Sequence, residues 1–289
     1  MPSIGYFPGC SLSGTAAEYD RSLRAVAAAL NVDLAEVPDW VCCGATSAHA
    51  IDHGLARALA ADTLAKARRA GHSELLAPCA MCYSRLAAAA RELAGDHRLR
   101  RTLLAAMGEP DDLDLHGVRP VSLLQWFERI GLESIQARVT APLKGLKVAC
   151  YYGCLLVRPA SVTGEREVEA PRSMEILLTL LGAQPVRWSM ALECCAGSFA
   201  LSRKEAVLRQ GRRIYDAARR AGAEVICLAC PMCHSNLDLR QGEFGVPRED
   251  RLPVVYLTQL VGLALGRPRE QMGFDGHFVD VNRPAALSA

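Results

Sequence analysis

The sequence predicts an α/β protein made of two similar halves, and three observations support this. Short apolar strands alternate with amphipathic helices along the chain. The same order of strands and helices then occurs a second time. Ten of the twelve cysteines recur at matching places in the two runs. We therefore expect two pseudo-symmetric Rossmann-like domains, residues 1–143 and 144–289, each with a small, largely parallel sheet flanked by helices.

The predicted elements follow one another in the same order in both halves. In the first half they are strand SIGYF, helix TAAEYDRSLRAVAAALN, strand LAEV, helix HGLARALAADTLAKARRAG and strand SELLA. In the second half they are strand LKVACYY, helix APRSMEILLTLLG, strand PVRW, helix KEAVLRQGRRIYDAARRAG and strand AEVICLA. The longer helix of each half ends at a glycine, Gly71 or Gly222, a residue that suits a helix C-terminus.

The remaining segments have weaker patterns. VSLLQWFERIG and VYLTQLVGLALG follow the two runs and resemble each other, which extends the repeat. Between the halves, GEPDDLDLHG has the composition of a surface loop. The tail from about Pro268 contains Gly and Pro without a clear period, so we predict an extended arm.

Composition and charge exclude several classes of protein. The formal net charge is only +2, with 33 basic and 31 acidic residues interspersed, which predicts binding neither to nucleic acid nor to an anionic membrane. No apolar run reaches the roughly 18 residues that span a bilayer, and no secretory signal is visible. We expect a cytoplasmic protein without direct membrane insertion. In that reducing compartment, twelve cysteines indicate metal or redox chemistry rather than a disulfide framework.

Five cysteines in each half follow the predicted strands. A lone cysteine follows the first strand, a doublet follows the second, and a CxxC follows the third. The first set is Cys10, Cys42, Cys43, Cys79 and Cys82, and the second set is Cys154, Cys194, Cys195, Cys230 and Cys233. The carboxyl ends of neighbouring parallel strands meet at one edge of a sheet, so we expect each set to converge there. Each CxxC also begins a helix, whose amino end favours thiolate sulfur.

The number of thiols limits what each set can hold. Structural zinc takes four ligands, and ordinary iron-sulfur clusters take four cysteines, so either would leave one thiol unused. A fifth cysteine at matching positions indicates a larger or unusual cluster, or a site with one catalytic thiol. Zinc at one or both sites is the alternative.

This cysteine pattern resembles the CCG domain of HdrB, the disulfide-reducing chain of heterodisulfide reductase. The resemblance rests on YFPGC, CCG and APCAMC in the first half, and on YYGC, CCA and LACPMC in the second. It covers nearly the whole chain. It implies that each set of five cysteines holds one noncubane 4Fe-4S cluster and that the two clusters face a shared cleft. A disulfide in that cleft would receive one electron from each side and leave as two thiols.

The resemblance also implies partners. The chain has no GxGxxG fingerprint between a strand and a helix and no CxxCxxCxxxCP run, so it has no visible flavin site or ferredoxin module of its own. We expect an HdrC-like ferredoxin subunit and an HdrA-like flavoprotein subunit to supply electrons. The substrate would be a disulfide, a persulfide or a protein thiol. The alternatives are an electron-relay subunit of another oxidoreductase complex with no disulfide substrate, and a zinc-binding structural protein.

Two features distinguish the second half from the first. Its doublet is followed by Ala196 where the first half has Gly44. If the backbone there needs positive φ or extra room, either the second cluster sits differently or Gly197 does the same work. His234, directly after CxxC, stands where the first half has Tyr83, and we predict it as a proton donor to a departing thiolate.

Cys150 and Cys227 fall outside the two sets. Both lie within predicted strands, where a free cysteine commonly behaves as a small buried hydrophobic residue. We therefore predict that they belong to the core and take no part in metal binding.

Overall fold

The computed structural model describes residues 3–288. Its first half is built on a four-stranded parallel sheet. Its strands are β1 (Ser3–Tyr6), β2 (Asp33–Glu36), β3 (Glu74–Leu76) and β4 (Arg119–Val121), in the spatial order β2-β1-β3-β4. Its helices are α1 (Gly9–Leu12), α2 (Ala17–Ala29), α3 (Ser47–Ile51), α4 (His53–Arg69), α5 (Ala80–Gly95), α6 (His97–Ala106), α7 (Leu123–Ile130) and α8 (Leu132–Gln136).

The second half repeats this sheet. Its strands are β5 (Lys147–Tyr151), β6 (Gln184–Pro185), β7 (Val225–Leu228) and β8 (Val254–Tyr256), all parallel and in the order β6-β5-β7-β8. Its helices are α9 (Ala160–Thr163), α10 (Ser173–Leu180), α11 (Lys204–Arg220), α12 (Pro231–Leu237), α13 (Leu257–Ala264) and α14 (Ala285–Ser288). The predicted α/β fold with two similar parallel sheets is confirmed. The division at residues 143 and 144 stays a prediction.

Both sheets contain a fourth strand that the sequence pattern did not predict. β4 and β8 have three residues each, too few to show a period, and β4 includes Pro120. Each strand runs directly into a helix. At the start of α7, Ser122 accepts a hydrogen bond from the Gln125 N–H, and the Gln125 side chain accepts one from the Ser122 N–H. These short strands extend each sheet beyond β3 and β7.

The central strands and long helices follow the predicted pattern. β7 is buried along its whole length, as expected for a parallel strand covered on both faces. The amphipathic helix α11 buries Val207, Ile214 and Ala218. Directly after α4 and α11, Gly71 and Gly222 have φ values of +81° and +75°, a left-handed conformation that glycine adopts without strain.

The two halves pack against each other through α2 and α13. The Tyr19 and Tyr256 rings are stacked with their centroids 4.1 Å apart, and the Ser22 and Thr258 hydroxyl oxygens are 2.7 Å apart. No helix among residues 3–288 is long and apolar enough to cross a membrane.

The tail differs from the predicted extended arm. After Pro268 it forms two short 310 turns, Arg269–Met272 and Phe274–Gly276. Met272 is fully buried, and a side chain at Gly273 would collide with Glu18 of α2. The tail of the second half therefore packs onto the first half, because its scattered apolar residues are buried there.

Candidate metal centre

The ten repeated cysteines form two groups at the carboxyl edges of the two sheets, and all ten are free thiols. We call Cys10, Cys42, Cys43, Cys79 and Cys82 the first cysteine group, and Cys154, Cys194, Cys195, Cys230 and Cys233 the second cysteine group. In both groups the second residue of the doublet and both CxxC residues are buried, whereas the lone cysteine and the first of the doublet are more exposed. The halves thus repeat the burial of the thiols as well as their order.

In the first cysteine group, the doublet reaches the CxxC helix. The Cys43 and Cys82 Sγ atoms lie 3.2 Å apart. Gly9, immediately before Cys10, has a φ of +65°, and a Cβ atom there would lie 3.1 Å from Cys82 Sγ. Glycine at this position lets the loop that carries Cys10 approach the buried thiols.

The second cysteine group repeats the contact between the doublet and the CxxC helix. The Cys195 and Cys233 Sγ atoms are 3.3 Å apart, and the Cys154 and Cys194 Sγ atoms are 3.8 Å apart. Gly153 precedes the lone cysteine with a φ of +65°, and a Cβ atom there would lie 3.5 Å from Cys233 Sγ. The α12 helix begins at Pro231, within the CxxC, which fits the preference of proline for the first helical turn.

Ala196 keeps the backbone conformation of Gly44 despite its side chain. Their φ values are 60° and 70°, both left-handed. Gly197 does not take over this conformational role, because its φ is not positive; instead, a Cβ atom at Gly197 would lie 2.5 Å from Met232 Cγ. The first glycine of the motif is thus replaced by a strained alanine, and the second is needed for close packing.

Protons shared between neighbouring sulfurs give several thiols thiolate character. A hydrogen bond from Cys42 lowers the pKa of Cys43 to about 4, and one from Cys154 lowers the pKa of Cys194 to about 6. Hydrogen bonds from Cys233 and Cys79 lower the pKa of Cys230 well below its usual value. Each group therefore contains thiols suited to binding a metal.

The two cysteine groups meet at their CxxC segments. The Ala80 N–H, next to Cys79, donates to the Ala229 carbonyl oxygen, next to Cys230, at 3.3 Å, and interaction with the Cys230 thiol raises the pKa of Cys79. The Tyr19 hydroxyl lies 3.0 Å from the Pro78 carbonyl oxygen and 3.4 Å from that of Ala229, the residues that precede these two cysteines. One buried phenol thus contacts both motifs.

A small cavity adjoins this contact, on the side of the second cysteine group. Its lining residues are Ala80, Met81, Tyr152, Cys154, Leu155, Cys194, Cys195, Gly197, Ser198, Cys230, Met232 and Cys233. Met81 and Met232 occupy the same position in the two CxxC segments, so both halves contribute to the cavity.

The donor atoms fit a thiolate-bound metal centre. Neighbouring soft sulfur donors lie 3.2 Å apart in the first group and 3.3 and 3.8 Å apart in the second, and glycines leave room for the loops that carry Cys10 and Cys154. Thiolates of this kind bind iron-sulfur clusters or zinc.

His234 does not line the cavity. Its Nε2 lies 3.1 Å from the Val254 carbonyl oxygen and 3.3 Å from His277 Nδ1, and its ring stacks on Tyr256. Burial lowers its pKa well below the usual range. Its predicted role as a proton donor stays a prediction.

Cys150 and Cys227 are paired neighbours in β5 and β7 and are fully buried, as predicted. Burial raises the pKa of both thiols. They belong to the core of the second half.

Comparison with known proteins agrees with the repeated motif. The family model of the cysteine-rich CCG domain matches twice, at residues 4–87 and 148–238. The chain is 31% identical to the 8-methylmenaquinol:fumarate reductase membrane anchor subunit of Wolinella succinogenes, over 97% of this chain and 98% of that protein. It is 28% identical to the HdrB chain of the ferredoxin/F420H2-dependent CoB-CoM heterodisulfide reductase of Methanosarcina acetivorans, over 95% and 93% of the two chains.

A solved structure shows the same fold. A hypothetical protein from Helicobacter pylori superposes with a TM-score of 0.72 at 12% identity, covering 96% of this chain and 52% of that one. Together, the two domain matches, the full-length relatives and the paired cysteine groups place the chain in a known family. It belongs to the cysteine-rich CCG proteins that resemble HdrB of heterodisulfide reductase.

Proposed function

We propose that this iron-sulfur oxidoreductase subunit cleaves or forms a disulfide in paired one-electron steps at two noncubane 4Fe-4S clusters. The observation that carries the proposal is the meeting of the two CxxC segments, where the Ala80 N–H donates to the Ala229 carbonyl oxygen at 3.3 Å, beside a cavity that both halves line. The first cysteine group would hold one cluster and the second cysteine group the other. When bound, each cluster supplies one electron.

The chain's own residues give the cavity its selectivity. Met81, Met232 and Leu155 provide an apolar, sulfur-rich lining that suits a sulfur-sulfur bond better than a charged group. Cys154 and Cys194 line the cavity, the former partly buried and the latter exposed, so a substrate sulfur would meet the second cysteine group. Reduction of a disulfide consumes two electrons and two protons and releases two thiols. The substrate class is a disulfide, a persulfide or a protein thiol.

The electrons would come from partner proteins. We propose an HdrC-like ferredoxin subunit and an HdrA-like flavoprotein subunit, since the sequence carries no flavin fingerprint or ferredoxin motif. We place this complex in the cytoplasm, without direct membrane insertion of this chain. Zinc at one cysteine group remains the alternative to a second cluster.

A second candidate is an electron-relay role with no disulfide substrate. It is favoured by the relative at 31% identity, whose name assigns it to a fumarate reductase. In that case the cavity beside the second cysteine group would not bind sulfur.

The test is anaerobic purification with the partner proteins, followed by iron and sulfide counting and electron paramagnetic resonance with candidate thiols. We expect iron and sulfide for two clusters and a signal that appears on oxidation with thiol. The signal should disappear in Cys195→Ser and persist in Cys150→Ala, a matched change of a buried thiol outside both groups. Clusters without any thiol response would favour the relay, and zinc without iron or sulfide would contradict both candidates.

A further inference from the structure

A second group of metal-binding side chains lies behind the second cysteine group. His234 is in α12, Asp238 lies one turn further on, and His277 comes from the tail. One ligand atom from each of the three residues lies within 4.8 Å of the others. None of these residues lines the cavity that the cysteines share.

Asp238 is buried, and only one of its two carboxylate oxygens has a hydrogen-bond partner among the described residues. The residue is only 1% exposed. One carboxylate oxygen, Oδ2, accepts a hydrogen bond of 2.7 Å from the Phe278 N–H. The other, Oδ1, has no hydrogen-bond partner within residues 3–288. A buried carboxylate oxygen without a partner is costly, and a bound cation would compensate it.

The neighbouring donors have the spacing of a tetrahedral site. The two imidazole nitrogens, His234 Nε2 and His277 Nδ1, are 3.3 Å apart, and the Val254 carbonyl oxygen is 3.1 Å from the former. Zinc binds nitrogen and oxygen at about 2.0–2.2 Å, so two ligands of one tetrahedral ion lie about 3.3 Å apart. These two separations match this value, and a carboxylate oxygen of Asp238 lies within 4.8 Å of a ring nitrogen of each histidine.

We propose that His234, His277 and the free oxygen of Asp238 bind one zinc ion, with the Val254 carbonyl oxygen as the fourth ligand. Two imidazoles and a carboxylate are a borderline donor set that suits zinc, in contrast to the soft sulfur sites nearby. His234 and Asp238 are buried, so the site has no open position for a substrate. The ion would be structural, and it would fasten the tail to the helix that carries Cys233.

Several hydrogen bonds must change when zinc binds, because the contacts of His234 Nε2 with the Val254 carbonyl oxygen and with His277 Nδ1 are hydrogen bonds that coordination would replace. The Gln259 side-chain nitrogen is 2.8 Å from His277 Nε2 and donates to it. Zinc at Nδ1 leaves the ring proton on Nε2, so the amide nitrogen has to move away from the ring. The same nitrogen also donates to the Met272 carbonyl oxygen at 2.8 Å, a bond that can be kept. Loss of these few neutral hydrogen bonds is small beside the affinity of a structural zinc site.

The experiment measures zinc, iron and sulfide in the anaerobically purified complex after a chelator wash. We expect one zinc per chain, with X-ray absorption showing nitrogen and oxygen ligands at about 2.0–2.1 Å and no sulfur at about 2.3 Å. Asp238→Asn keeps an acceptor for the Phe278 N–H but removes the charged ligand. His277→Gln keeps a polar side chain but removes the imidazole. Both variants should lose zinc by at least about tenfold and keep their iron and sulfide.

His97→Gln, a change of an exposed histidine in α6, is the matched control and should keep its zinc. Wild-type protein without zinc, zinc retained in both variants, or zinc with sulfur ligands would overturn the site. Because iron and sulfide are counted in the same samples, failure of this site is separate from failure of the proposed clusters.

Discussion

The first and second cysteine groups lie at equivalent edges of equivalent sheets, and their buried thiols have the same spacing, 3.2 Å in one and 3.3 Å in the other. Their surroundings are different. The cavity is lined by all of the second group's thiols and by none of the first. Duplication has thus kept two matching sets of ligands, while this cavity adjoins only the second set.

The residue after each CxxC shows how the surroundings diverged. The Tyr83 hydroxyl donates to the Thr163 carbonyl oxygen, across the boundary between the halves. His234, its counterpart, contacts Val254 and His277 within the second half. Neither side chain lines the cavity, so this pair of residues does not explain why the cavity adjoins only the second cysteine group.

The two equivalent contacts between the halves, one through α2 and α13 and the other through α7 and α10, also differ from each other. On one side, α2 and α13 are in close contact through Tyr19 and Tyr256. On the equivalent side, a cavity of about 500 Å³ lies between α7 and α10, lined by Phe127 and Ile176 among others. The tail covers the first contact and has no counterpart at the second, which explains why the pseudo-symmetry is incomplete.

The largest expected effect comes from removing one ligand of each group at the same buried position. On the proposed function, Cys82→Ser and Cys233→Ser should each lower iron and sulfide by about half, because each disrupts one cluster. Only Cys233→Ser should also abolish the thiol-dependent paramagnetic signal, since only its group lines the cavity. Equal loss of the signal in both variants would contradict the assignment of substrate binding to the second group.

The next effect comes from the crowded glycine of the second group. Gly197→Ala places a Cβ atom 2.5 Å from Met232 Cγ, so we expect a loss of about 1–3 kcal/mol of stability and a displaced methionine at the cavity. Chemical denaturation of the wild type, both single variants and the double variant with Met232→Ala measures the coupling. The alanine at position 197 should cost less when Met232 is truncated; the same cost in both backgrounds would show that the crowding is not responsible.

Most of the fold could be predicted because parallel sheets and amphipathic helices leave a local pattern. The apolar runs of the sequence predict the first three strands of each half. The positions of the cysteines directly after these strands predict that the cysteines lie at one edge of each sheet. β4 and β8 were missed because three residues show no period. The tail was missed because its burial depends on the distant Glu18 and Gly262, which no local pattern reveals.

The same limit applies to single site residues. The sequence offers positive φ only as one of two reasons for Gly44, and that Ala196 itself adopts this conformation could not be predicted from an alanine. Likewise, His277 lies in a segment without a period, so only the folded chain brings it to His234.

Tyr19 tests whether the two groups are held together by one phenol. Tyr19→Phe removes a hydroxyl from the buried Pro78 and Ala229 carbonyl oxygens, so we expect a loss of about 1–2 kcal/mol and a weaker spin interaction between the two loaded sites. Tyr215→Phe is the matched control, because its hydroxyl also donates to a backbone carbonyl oxygen, that of Asp250 at 2.7 Å. The control should lose stability without changing the spin interaction. Equal spectra for both variants would contradict a bridging role for Tyr19.

The smallest effect is expected where the second doublet departs from the first. Ala196→Gly relieves a left-handed alanine, worth about 1–2 kcal/mol, but adds chain entropy to the unfolded state, worth about 0.4–1 kcal/mol. The net result should be a gain of roughly 0.5 kcal/mol, read as a higher thermal midpoint of the anaerobic protein. Ala200→Gly, at a nearby alanine with right-handed φ of −55°, gains no such relief and should lower the midpoint. If both glycine variants lower it equally, Ala196 is not strained, and the second site tolerates its CCA sequence for another reason.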